Sequence, residues 1–372
     1  MMTLKIVIAP DSFKGSLSAA EAAQAMKTGF LHVFPEAEYT LIPMADGGEG
    51  MLESFLFKKG TSPLEVSVRN TYGNDKKAKI CIDGETAYIE SAHAVGLTDF
   101  TPEELIPIQS TSYGVGQMIR YALDQGCKKV LIGLGGSAVN DGGAGLLEAL
   151  GARYTYTEEF EGGVTLGRLP FIQRVDLTTL DPRLHEVKLM IASDVNNPLT
   201  GEEGATAIFG PQKGVRSEDI AVYDQWIAQF AALTAAELID APSAGAAGGM
   251  GFALLAAGGQ FAQGAKLIGE EIGLQDAVRE ADLILTGEGK SDEQTMYGKV
   301  AHYVAELADA YQKPVILISG SLDHEAEELI SLFAASFSIT HSPCTLEYAL
   351  THARTLTTKR AAEIAKLIQL QL

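Results

Sequence analysis

Cysteine is scarce in this 372-residue chain: Cys81, Cys127 and Cys344 stand far apart and form neither a CxxC pair nor a disulfide framework. A reducing compartment is expected, and the cytoplasm fits best. Basic residues are few as well, with 28 Lys plus Arg against 48 Asp plus Glu, a net charge of −20. Such a field repels phosphate backbones and anionic lipid, which disfavours nucleic acid as a partner. No apolar run can cross a bilayer, because the weakly polar stretch from Ala244 to Gly259 is rich in glycine and falls short of the roughly 20 residues a span needs. The N-terminal run Lys5-Ile6-Val7-Ile8-Ala9-Pro10 meets Asp11 too early for a secretory leader and reads as a strand. HExxH is missing too, since His185-Glu186 and His324-Glu325 lack a second histidine at the required spacing, and so is GxSxG. Zinc and serine-hydrolase chemistry are both disfavoured.

What is present suits a globular protein of about two domains: hydrophobic residues make up 46% of the chain and charged residues 20%. Leu4 to Ala9, a helix from Ser18 and Tyr39 to Met44 form βαβ grammar, with Ser18 and Glu21 spaced as a capping box. The grammar returns with Asp282 to Thr286, a helix near Val300 to Tyr311, Pro314 to Ser319 and Ser336 to Thr340. Both ends are therefore expected to share one parallel sheet. Between them Leu64 to Val68, Ala78 to Ile82 and Thr86 to Glu90 are closely spaced and broken by turn residues, as antiparallel hairpins are. Strands at Lys129 to Leu134 and Val187 to Ala192 and a helix around Glu218 to Ile239 follow. The expectation is an α/β domain over 1–65 and 280–372 with an inserted, mixed α/β domain over 66–279.

Glycine is plentiful, 39 residues, and its densest cluster runs from Gly133 through Gly135-Gly136-Ser137 and Asn140-Asp141-Gly142-Gly143 to Gly145. It follows a strand and leads into a helix, the order a phosphate cradle requires. Gly133-x-Gly135-x-x-Ala138 also has the spacing of a dinucleotide fingerprint, with Glu158 about 20 residues on, yet Asn140 to Gly143 interrupts the helix that fingerprint needs. Gly287-Glu288-Gly289-Lys290-Ser291 ends like a P-loop, but Ile284 stands where its first glycine belongs. The remaining signal is a set of oxygen donors on turns: Asp11, Asp46 with Glu49, Asn140 with Asp141, Asp194 with Asn196 and Asn197, and Glu288 with Asp292. Dispersed carboxylates suit magnesium, which takes one or two and fills its shell with water and phosphate. Asp194 follows a strand directly, where a base could take the proton of an attacking hydroxyl. Lys14, Lys213 and Lys290 sit in polar, Gly-containing loops and could neutralise a carboxylate or phosphate.

Seven separated segments together resemble the bacterial type-1 glycerate kinase family, in order and over nearly the whole chain. They are Asp11 to Ser16, Pro43 to Gly50, Gly133 to Gly145, Ala192 to Leu199, Ile208 to Gly214, Gly245 to Gly251 and Thr286 to Thr295. Departures are small, with Val139 where Thr is expected and Lys290 where Arg is frequent. The resemblance implies a Rossmann-like three-layer domain with a parallel sheet, an inserted second α/β domain with a mixed sheet, and a cleft between them. It also implies ATP-dependent phosphorylation of D-glycerate, with 2-phosphoglycerate as the product.

Glycerate carries a carboxylate and two hydroxyls, so its site needs a cation, a base beside the reacting oxygen, and metal plus amides for ATP. Asp194 is assigned as the base. Ser12, Lys14, Asn196 and Lys290 are assigned to the substrate, Gly135, Gly136, Ser137, Asn140 and Asp141 to the nucleotide, and Asp46 and Asp292 to Mg2+. The rival readings are a nicotinamide-dependent hydroxy-acid dehydrogenase and a non-catalytic sensor of small acids.

Overall fold

A computed structural model of the chain describes residues 3–292, 295, 299–323 and 331–370. Glu293 and Gln294 of the last motif, and the His324-Glu325 pair, lie outside the described residues. The chain forms two compact units: Met1–Asp46, Glu53–Thr61 and Gln263–Leu372 make the first, and Gly47–Leu52 with Ser62–Ala262 the second.

The first unit is built on a five-stranded sheet in the order Ala335–Ser338, Val315–Ser319, Leu283–Thr286, Lys5–Ile8, Glu38–Leu41, every pair parallel. Successive side chains of a strand point to opposite faces, and here both faces are apolar. Ile6, Ile8, Leu283, Leu285, Ile316 and Ile318 share one core with Phe30 and Ile364, from the helices Ala19–Leu31 and Ala353–Gln369. The alternate residues Val7, Ile284 and Leu317 are equally buried, and the helices Leu274–Glu280 and Val300–Ala310 pack on these strands. The helix Ala19–Leu31 starts on the expected capping box, Ser18 N–H donating to Glu21 Oε2 at 3.1 Å and Glu21 N–H to Ser18 Oγ at 3.3 Å.

Chain direction reverses inside this sheet. From Lys5–Ile8 the chain steps outward to Glu38–Leu41, whereas from Leu283–Thr286 it steps the other way, to Val315–Ser319 and Ala335–Ser338. The loops leaving the two central strands therefore diverge and leave a crevice at their carboxyl ends.

The second unit holds a six-stranded mixed sheet, Gln260–Ala262, Lys188–Ala192, Lys129–Gly133, Thr86–Glu90, Asp75–Asp83, Leu64–Arg69. The first four are mutually parallel, and the last two extend the sheet by antiparallel hairpins, as the turn residues at 70–74 and 84–85 demand. Its register sets Glu90 beside Gly133 and Gly133 beside Ala192, so three parallel strands end level with one another. The architecture is thus the α/β one expected, one parallel sheet and one mixed. No described helix is long and apolar enough to cross a membrane.

Candidate active site

The crevice of the first unit is a cavity of about 770 Å³. The two central strands lead into it, and their loops are tied together by Thr286 Oγ1 donating to the Ala9 carbonyl, 277 residues away, at 2.8 Å and by Asp11 N–H donating to the Gly287 carbonyl at 2.8 Å. Ser12, Lys14, Asp46, Lys290 and Asp292 all line it, as do Asp11 and Glu288. Five of the residues assigned from sequence to substrate and metal thus share one wall system within one unit.

Its electrostatics are dominated by carboxylates. Asp11 is buried, and burial first, then the charges of Asp46 and Glu288, push its carboxyl up to about 8 against the opposing Ser12 amide and Lys14 ammonium. Ser12 N–H donates to Asp11 Oδ1 at 2.6 Å. Burial also raises the Glu288 carboxyl, whose Oε1 accepts from Ser291 Oγ at 2.8 Å and Thr295 Oγ1 at 2.9 Å. Lys290 Nζ lies 3.1 Å from Asp292 Oδ2 and 3.4 Å from Asp323 Oδ2, so its charge is engaged by two acids. Among the described residues no group of three or more His, Cys, Asp or Glu side chains could hold a metal ion alone. The carboxylate oxygens of Asp46 and Asp292 are hard donors of the kind that Mg2+ takes one or two at a time.

The second unit gathers the glycine-rich segments at the carboxyl ends of its parallel strands. The loop from Leu134 to Gly143 stays irregular and the helix begins only at Ala144, ending at Ala149, so the dinucleotide fingerprint fails where the sequence interrupts it. The Gly47–Leu52 segment lies against this loop: a Cβ on Gly135 would overlap Gly48, and Glu90 accepts from Gly50 N–H at 2.9 Å and Leu52 N–H at 3.1 Å. From another side Gly248, with φ +71°, approaches so closely that a Cβ there would overlap the Val139 carbonyl. Gly245 N–H donates to the Asn197 carbonyl at 3.0 Å, which brings in the Ala192 to Leu199 segment.

The structure places the loop residues at different depths. Gly136 is exposed and Gly135 half-buried, whereas Ser137, Asn140 and Asp141 are buried. Asp141 accepts from Ser112 N–H (2.8 Å), Ser112 Oγ (2.9 Å), Gly143 N–H (3.1 Å) and Gly145 N–H (3.0 Å), which secures the loop and the start of the short helix after it. Burial raises its carboxyl despite these donors. Asn140 Nδ2 donates to Thr206 Oγ1 at 3.1 Å. Lys213, singled out in the sequence only as a lysine in a polar loop, is buried, with Nζ donating to the Val139 carbonyl at 2.7 Å and to Ser137 Oγ at 3.3 Å. Desolvation lowers its ammonium to about 7, with the charge of Asp141 acting against that fall. Asp194 directly follows the Lys188–Ala192 strand and is half-buried, while Asn196 is exposed.

Lys299 and His341 line the first unit's cavity and were not singled out by sequence; lone residues outside glycine-rich turns carry no local signal. Asp11 and Glu288 were recognised as turn acids, but their pairing depends on two strands meeting from opposite ends of the chain.

A parallel sheet with a cavity at its chain reversal, apolar in part and carrying several charged groups, is the arrangement of an α/β enzyme acting on a small ligand. The glycerate kinase family model matches residues 6–369, and the chain belongs to that family, whose members are kinases. It is 42% identical over 375 residues to the glycerate kinase of Bacillus subtilis (strain 168), covering 99% of this chain and 98% of that one. It is 42% identical over 326 residues to the glycerate 2-kinase of Escherichia coli (strain K12), covering 86% of each. Among solved structures it is similar to a candidate glycerate kinase 2 from Salmonella typhimurium LT2, with a TM-score of 0.87, 40% identity and full coverage of both chains.

Proposed function

We propose that the protein catalyses ATP-dependent phosphorylation of D-glycerate to 2-phosphoglycerate. Family membership supports the reaction and its donor, and the name of the Escherichia coli relative supports the position. The observation that carries the reading is the single cavity in which Ser12, Lys14, Asp46, Lys290 and Asp292 meet at the sheet's chain reversal.

In this reading Ser12 and Lys14 hold the glycerate carboxylate and a hydroxyl, with Lys290 and Asn196 as further substrate contacts. Asp46 and Asp292 hold Mg2+ or its waters. When bound, the ion would neutralise phosphate charge during transfer, beside the acids Asp11 and Glu288 that line the same cavity. Gly135, Gly136 and Ser137 face the nucleotide phosphates, supported from beneath by Asn140 and Asp141, and Asp194 takes the proton of the attacking hydroxyl. The long return of the chain to the first unit fits the reading of an inserted domain, and the exposed thiol of Cys344 fits a reducing cytoplasm.

The test is ADP release with D-glycerate, Mg2+ and ATP varied independently. Release that needs all three is expected. Release indifferent to D-glycerate would refute the reading, and a glycerate-dependent change in nicotinamide absorbance would replace it with the dehydrogenase.

A further inference from the structure

Lys213 closes a single turn, Pro211–Lys213, just after the helix Ala205–Phe209. The residue is 2% exposed, and its two hydrogen bonds, to the Val139 carbonyl and Ser137 Oγ, both end on the glycine loop. Thr206, from the same segment, takes Asn140 Nδ2. The 205–214 segment therefore grips the loop from inside at Ser137, Val139 and Asn140, while the crest at Gly136 stays exposed. Burying an ammonium is unfavourable, and an apolar side chain of equal length would fill the same space, so packing alone does not call for lysine here. What lysine adds is direction: two hydrogen bonds fix which way the loop's carbonyl and hydroxyl point.

We propose that Lys213 is a positioning residue for the nucleotide, fixing the Ser137–Asn140 backbone so that Gly135 and Gly136 present their amides to the phosphates of ATP. The inference rests on the reading that this loop takes those phosphates, and its test separates the two. Steady-state kinetics of the full-length enzyme are measured for Lys213→Met, Thr206→Val and Gly136→Val, with ATP and D-glycerate varied separately and thermal unfolding recorded alongside.

Lys213→Met raises KM for ATP by about tenfold and leaves KM for D-glycerate within about twofold, while the melting temperature falls only modestly, since the buried Val139 carbonyl loses its partner. Thr206→Val, which breaks only the Asn140 tie, shifts KM for ATP in the same direction by less, and serves alone if the methionine variant does not fold. A rise in KM for ATP with Gly136→Val, but not with Lys213→Met or Thr206→Val, leaves the phosphate reading intact and overturns the role of Lys213. No rise with Gly136→Val overturns the phosphate reading and this inference with it. Equal changes in both KM values for Lys213→Met reduce the residue to packing and also overturn it.

Discussion

Replacing Asp11 by Asn separates what the cavity's charge does to the fold from what it does for the reaction. The Asp11 carboxyl stands at about 8 against an ordinary 3.8, because it is buried and faces Asp46 and Glu288. Its pKa is therefore higher folded than unfolded, and between about pH 4 and pH 8 the folded protein holds a proton the unfolded chain has released. Stability from this group falls across that window by about 1.4 kcal/mol per pH unit, on the order of 4 kcal/mol by pH 7. Asparagine is nearly isosteric with the protonated acid and keeps an acceptor for the Ser12 amide. Urea unfolding in EDTA should then give equal stabilities for wild type and Asp11→Asn near pH 4, with the variant increasingly more stable towards pH 8. Turnover of the same variant, measured with ATP and Mg2+, reads the reaction separately, since Asp46 and Asp292 are untouched. A stability difference that is the same at pH 5 and pH 8, or a variant less stable throughout, would refute this account of the cavity.

Asp194→Asn preserves shape but removes the proposed base: turnover should fall by about 10² to 10⁴-fold with the melting temperature unchanged, and near-normal turnover would end that assignment. Gly248→Ala places a methyl group on the Val139 carbonyl at φ +71°, so unfolding free energy should drop by about 2 to 4 kcal/mol in chemical denaturation; an unchanged midpoint would show that the loop yields freely.

Much of the fold was legible because its signals are local. The short apolar runs Lys5–Ile8 and Leu283–Thr286, the Ser18–Glu21 capping box and the turn residues between the hairpins each act within a few residues, and the structure keeps all of them. The site was legible in part. Acids on glycine-rich turns mark places where the backbone is free to meet a ligand, but the same residues also hold such turns together. Asp141 shows the second use: four donors from Ser112, Gly143 and Gly145 surround its carboxylate, and no spacing in the sequence separates a buried cap from a ligand. The pairing of Asp11 with Glu288 depends on strands 277 residues apart lying side by side. The inward turn of Lys213 depends on the 205–214 segment crossing under the glycine loop. Both are products of tertiary packing, which local pattern does not encode.

Phosphorus NMR of the product made from D-glycerate and ATP bears most directly on what this protein is for. One new phosphomonoester resonance, split by the lone proton on C2 and absent when D-glycerate or Mg2+ is left out, is the predicted spectrum. A phosphate split by the two protons of C3, or free phosphate with no ester at all, would contradict it.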